Sequence, residues 1–150
     1  MQKTLARKLV LTAAILTANS GIVAAETIKI AIAGPVTGDV AQYGDMQVIG
    51  AQMAVEQINK TAAGEATLQA QVFDDACDPK QAVSVANTMV NKGIVFMHGH
   101  WCSSSTIPAS EVYVESDIPM ATVSTNPQVT ERGLNNIFRI MGRDDQQGLV

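Results

Sequence analysis

The chain has 150 residues, with ten Lys plus Arg against fourteen Asp plus Glu and a formal net charge of −4. It has 47% hydrophobic residues and shows no internal repeat or low-complexity segment. The acidic balance excludes nucleic acid as the natural partner, since phosphate binding needs a basic face.

Residues 1–8, "MQKTLARK", carry Lys3, Arg7 and Lys8. Apolar "LVLTAAILTA" follows, and small residues, "VAA", stand before Glu26. This is the pattern of a secretory signal peptide covering residues 1–25. Its apolar core is shorter than the roughly 20 residues that span a bilayer, so an uncleaved anchor is the weaker alternative. Residues 26–150 would then hold seven basic against fourteen acidic residues. An exported chain reaches an oxidising space, where two cysteines are expected to pair. Cys77 and Cys102 lie 25 positions apart, and closing that loop would stabilise the fold by about 3.5 kcal/mol in the chain-entropy treatment. Two buried free thiols are the other reading.

The remaining chain alternates apolar strands with amphipathic helices. "IKIAIAG" (28–34) is a near-continuous apolar run, as in a strand buried on both faces. Turn-rich "PVTGDVAQYGD" leads to a helix from Met46, in which Val48, Ala51, Val55 and Ile58 recur at helical spacing. "TLQAQVFDD" (67–75) is the second strand. A helix follows with Asp78 as its cap and Pro79 in its first turn. "GIVFMHGH" (93–100) is the third strand. "SSSTIPASEVYVESD" (103–117) has serines placed to cap a third helix, with Pro108 suited only to an opening turn. "IPMATVS" (118–124) and "NIFRIMG" (136–142) complete five strands.

This order predicts an α/β class: a doubly wound, mostly parallel sheet with helices on both faces. Ligands of such sheets bind outside the carboxyl ends of the strands. Both cysteines, Tyr43, "CSSST" and Thr125 fall on loops at that rim. The start of the third helix offers amides, hydroxyls and a positive dipole end to a carboxylate or phosphate. Plain helix capping by Ser103–Ser105 is the alternative. Tyr43 either walls a pocket or simply packs. No nucleotide-binding glycine loop or G-x-S-x-G elbow is present. "HGH" places His98 and His100 on one side of a strand, half of a metal site that Asp74 or Asp75 would extend, although no third ligand has characteristic spacing. Asp74 and Asp75 would serve an enzyme as an acid/base couple; more simply, Asp75 turns the loop before Pro79.

"IKIAIAGPVTGDVAQYGD", "GAQMAVEQIN", "DDACDPKQAVSVANTMV", "GHWCSSSTIPAS" and "TNPQVTERG" resemble, in order, the N-terminal part of the periplasmic leucine/isoleucine/valine-binding proteins of ATP-driven importers. The resemblance implies a type I periplasmic binding fold that closes on a free amino acid, binds no cofactor and serves an inner-membrane permease, as a monomer in the periplasm. It implies a Cys77–Cys102 disulfide. It also implies that Ser103 holds the ligand carboxylate, Thr125 uses hydroxyl and backbone on carboxylate and ammonium, and Val123 offers a carbonyl to the ammonium. Tyr43 matches an aromatic wall of the side-chain pocket, next to Trp101 and Cys102. Trp101 stands where the branched-chain binders carry leucine, implying a smaller or reshaped pocket. "IPMATVSTNP" is one residue shorter than the matching family stretch. The family runs to more than twice this length, so residues 26–150 are expected to form an N-terminal lobe, incomplete and weakly binding by itself. Two other functions are a ligand-sensing receptor domain of the same fold and an exported metal-dependent hydrolase built on His98, His100 and the Asp74/Asp75 pair.

Overall fold

Nine residues of "ETIKIAIAG" form β1 (Glu26–Gly34), where side chains alternate between two apolar environments. Ala31 and Ala33 face one side and Ile28, Ile30 and Ile32 the other. The computed structural model describes residues 26–62 and 66–147; the proposed leader lies outside the described residues. After β1 come α1 (Ala41–Thr61), β2 (Ala66–Asp74), α2 (Pro79–Asn91), β3 (Phe96–Gly99), α3 (Ser103–Glu115), β4 (Met120–Thr122), α4 (Gln128–Glu131), β5 (Ile137–Arg139) and α5 (Asp144–Gln147). The strands form one sheet in the order β2-β1-β3-β4-β5. Every neighbouring pair is parallel. The expected doubly wound α/β class is the observed one.

The chain leaves β1 outward to β2, then crosses back to β3 on the other side of β1. The topological switch therefore lies between the carboxyl ends of β1 and β3, where such folds open a crevice. On one face, α2 and α3 pack together over Ala31, Ala33 and Met97, burying Ala82, Ala86, Met89, Ala109 and Tyr113. Alanines on both layers let the helices approach the sheet closely. On the other face, α1 lies against β1 and β2, and its Ala51, Val55 and Ile58 border an apolar groove of about 540 Å³ over Ile30 and Phe96.

Two element boundaries differ from expectation. α1 begins at Ala41 rather than Met46, so Tyr43 sits on the first turn of a helix and not in a loop. The turn-like "AQYG" misleads because Gly44 serves close packing: a Cβ there would lie 2.0 Å from the Pro35 carbonyl oxygen. Pro108 lies inside α3, in its second turn. A proline there removes one helical hydrogen bond and costs about 3 kcal/mol. The buried row Ser105, Thr106, Ala109, Ser110 and Tyr113 offsets that loss through tertiary packing. Asp78 caps α2 as expected, its carboxylate accepting from Gln81 N at 2.7 Å, with Pro79 at the first helical position.

Candidate functional site

The loop after β2 carries two residues in the left-handed region, Ala76 at φ 48° and Cys77 at φ 55°. Side chains other than glycine adopt that region at a cost of about 1–2 kcal/mol each. The consecutive aspartates hold them there. Asp74 Oδ1 accepts from Ala76 N at 3.0 Å, and Asp75 Oδ1 accepts from Cys77 N at 2.8 Å, each two residues on. These are Asx turns, which explains "DDAC" without an acid/base couple.

Cys77 so presented is bonded to Cys102, with Cα atoms 5.5 Å apart. The bridge ties the loop after β2 to the start of α3, as both the cysteine count and the compartment predict. Cys102 itself is the N-cap residue of α3 and makes no side-chain capping bond. The capping role expected of the serines is not what they perform. Ser103 is the first helical residue, and its Oγ accepts from Asn126 N at 3.3 Å. Ser104 Oγ approaches the Cys77 carbonyl at 3.5 Å, and buried Ser105 Oγ has no partner among the described residues. The disulfide fixes the chain direction that a capping hydroxyl would otherwise set, which frees Ser103 to reach across the rim.

Asn126 belongs to the loop after β4, next to Thr125. Ser103 and Thr125 are therefore brought to adjacent loops, both half-buried. Arg139, from β5, underpins this loop: its Nη1 donates to the carbonyls of Asn126 (2.8 Å), Thr125 (3.4 Å) and Ser124 (3.5 Å). The sequence reading missed Arg139; a lone arginine in the short apolar strand "NIFRIMG" was the available signal. Val123 follows β4 directly and is half-buried. Between the loops, the first amides of α3 have no intrahelical acceptor and carry the positive end of its dipole.

Tyr43 and Trp101 stack, with ring centroids 5.3 Å apart and planes at 14°. The pair joins the first turn of α1 to the loop after β3, forming an aromatic wall on the same rim. Asp74 ties in the loop after β1 as well, accepting from Val36 N (2.9 Å), Thr37 N (3.2 Å) and Thr37 Oγ1 (2.5 Å). Burial by itself would raise its carboxyl pKa, but the Thr37 hydroxyl and the amides of Ala76, Thr37 and Val36 outweigh burial and hold it below its ordinary value of 3.8. A depressed folded-state pKa stabilises the fold above the unfolded value and loses that contribution as pH falls through the folded one. Asp74→Asn is accordingly expected to lower stability by a constant amount at neutral pH, the gap to wild type closing below about pH 4. Urea unfolding from pH 7 to pH 3 checks this; a gap independent of pH contradicts it.

The two histidines do not share a face. His98 borders the apolar groove beside α1, where desolvation lowers its pKa. The chain turns sharply after it at Gly99, with φ +124°, and the His100 ring enters the opposite face against Asp75 and Tyr113. The strand alternation that predicted one side ends at Gly99. Among the described residues, no group of three or more His, Cys, Asp or Glu is placed to hold a metal ion.

A doubly wound parallel lobe of this topology is the architecture of type I periplasmic binding proteins. The chain belongs to the family whose model is described as periplasmic binding protein, which matches residues 27–150. It is 58% identical over 129 residues to a leucine-, isoleucine-, valine-, threonine- and alanine-binding protein of Pseudomonas aeruginosa, covering 85% of this chain and 35% of that one. It is 48% identical over 143 residues to a Leu/Ile/Val-binding protein of Escherichia coli, covering 94% and 39%. Among solved structures, a leucine-binding protein of Thermotoga maritima matches with TM-score 0.74 and 26% identity, over 81% of this chain and 34% of that one. A branched-chain amino acid substrate-binding protein of Streptococcus pneumoniae, in complex with isoleucine, shares the fold at TM-score 0.75 and 24% identity, over 79% and 35%. The chain thus spans little more than a third of the length of these curated relatives.

Proposed function

We propose that residues 26–150 are the carboxylate-holding lobe of an exported solute-binding protein that delivers branched-chain or other aliphatic amino acids to the permease of an ATP-driven importer. The observation that carries this reading is the Ser103 Oγ to Asn126 N bond, which joins the amide-rich start of α3 to the Thr125 loop. Two hydroxyls and free helix amides on adjoining strand ends suit a small carboxylate. In this reading Ser103 and the α3 amides receive the ligand carboxylate. Thr125 contacts carboxylate and ammonium, and the Val123 carbonyl accepts from the ammonium. Tyr43, Trp101 and Cys102 border the ligand side chain.

The names of the relatives support aliphatic amino acids as the substrate class. The indole of Trp101, stacked on Tyr43, is large and takes up room beside the ligand side chain; it favours the smaller members of the class. Residues 1–25 act as a cleaved export signal in this proposal, and the lobe works in the periplasm without catalysis or a cofactor. The opposite wall of the cleft, with an acidic partner for the ammonium, comes from a second lobe that closes about a hinge.

The test uses the product of the whole coding sequence. Ser103→Ala is expected to weaken amino-acid binding by about 1.5–3 kcal/mol, the range for a hydrogen bond to a charged group. Affinity equal to wild type would remove Ser103 from the site.

A further inference from the structure

A fully buried polar cluster of the lobe lies apart from the carboxylate site. Asp75, His100 and Tyr113 are each 0% exposed. The Asp75 carboxylate accepts from His100 Nδ1 as well as from Cys77 N. His100 Nε2 meets the Tyr113 hydroxyl at 2.9 Å, and that hydroxyl lies 3.4 Å from Met89 Sδ. These residues come from the loop after β2, the end of β3, and the inner face of α3. The neighbouring core is built of alanine, methionine and isoleucine. Burying an ionisable pair there costs several kcal/mol in desolvation, and well-packed apolar residues often serve stability as well or better. Packing alone gives no reason for the cluster.

Its connections supply one. The backbone carbonyl of His100 accepts from the Thr122 hydroxyl (2.7 Å) and from one of the Ser124 (3.1 Å) and Thr106 (3.3 Å) hydroxyls, the other donating within the pair. Thr106 and Ser124 also bond each other at 2.5 Å. Thr106 lies one turn along α3 from Ser103, and Ser124 immediately precedes Thr125. His100 is therefore the point at which the Ser103 loop and the Thr125 loop are referred to one another, while its ring is held by the residue that also orients Cys77.

We infer that Asp75, His100 and Tyr113 form a buried positioning relay that sets the spacing of the Ser103 and Thr125 loops, alongside the disulfide. This rests on the reading of Ser103 and Thr125 as ligand contacts. The hydrogen bonds run in one direction along the relay: His100 Nδ1–H donates to the Asp75 carboxylate, which leaves Nε2 to accept from the Tyr113 hydroxyl. Burial first, and then the charge of Asp75, raise the Tyr113 pKa and keep that hydroxyl protonated. All three are closed off from the rim surface and act through the loops.

The experiment measures binding of L-leucine, L-valine and L-alanine to the product of the whole coding sequence, with thermal unfolding as the check on folding. His100→Leu is expected to weaken binding about tenfold or more, whereas His100→Asn, which keeps a donor for Asp75, is expected to bind as wild type does, within about 1.5-fold. The His100 Nδ1 proton resonance is expected to move when the amino acid is added, which a pair serving packing alone would not do. Folded His100→Leu that binds as wild type overturns the relay. Where that variant does not fold, Tyr113→Phe decides: about threefold weaker binding is expected, and unchanged affinity with an unmoved resonance overturns it. Wild-type protein that binds none of the three overturns the anchor reading and the relay together. Wild-type binding that survives His100→Leu overturns the relay alone.

Discussion

Gly99→Ala is expected to destabilise the lobe by about 4 kcal/mol, at the severe end for a single substitution. Gly99 ends β3 at φ +124°, a region that side chains rarely adopt. A Cβ would lie 2.0 Å from the Ala33 carbonyl oxygen and 2.8 Å from Gln47 Nε2. Neither neighbour has room to yield. Ala33 is fully buried in β1, and Gln47 donates to the carbonyls of Ala33 (3.1 Å) and His98 (3.2 Å), spanning β1 and β3 at the switch point. The substitution thus strikes the place where the chain turns out of the sheet into Trp101, Cys102 and Ser103. Gly50→Ala is the control. Nothing lies within 4 Å of a Cβ at this exposed position in α1, so alanine is expected to stabilise by about 0.5–1 kcal/mol through helix propensity. Urea unfolding followed by circular dichroism gives both values, and effects of the same sign would contradict the account.

Replacing both Cys77 and Cys102 by alanine is expected to cost about 2–5 kcal/mol. Part of that loss comes from the greater freedom of the unfolded chain. The rest falls on the rim, because Cys77 sits at positive φ and Cys102 begins α3 without a capping side chain. Amide exchange is therefore expected to rise most at residues 75–78 and 100–106. Uniform acceleration across the lobe would instead mean that the bridge acts only through the unfolded state. Thiol titration of the unfolded, unreduced protein is expected to find no free thiol; two would contradict the pairing.

Much of this was legible in the residues. The apolar runs of β1 to β5, the helical spacing of Val48, Ala51, Val55 and Ile58 in α1, and Asp78 with Pro79 at the start of α2 carry their own signals, so order, class and rim followed from pattern alone. The early start of α1 did not, because Gly44 reads locally as a turn while the structure uses it for contact with Pro35. Pro108 misled for a related reason: tertiary burial holds α3 through a residue that local rules would place at its start. The site divided similarly. Cys77 and Thr125 stand on loops, and Cys102 and Ser103 at the start of α3, at a rim whose position the topology dictates. His98 and His100 were assigned one face by alternation, which a single glycine at positive φ ends. Arg139 and Gln47 act through backbone carbonyls of distant loops, contacts that no spacing along the chain announces.

In the proposed function, this rim holds the carboxylate of a free aliphatic amino acid. Calorimetric titration of the whole coding product with L-leucine, L-isoleucine, L-valine and L-alanine, each beside its carboxamide, tests it most directly. Saturable one-to-one binding of at least one free amino acid is expected, with its amide weaker by about tenfold or more. Equal binding of acid and amide, or no binding of any free amino acid, would contradict it.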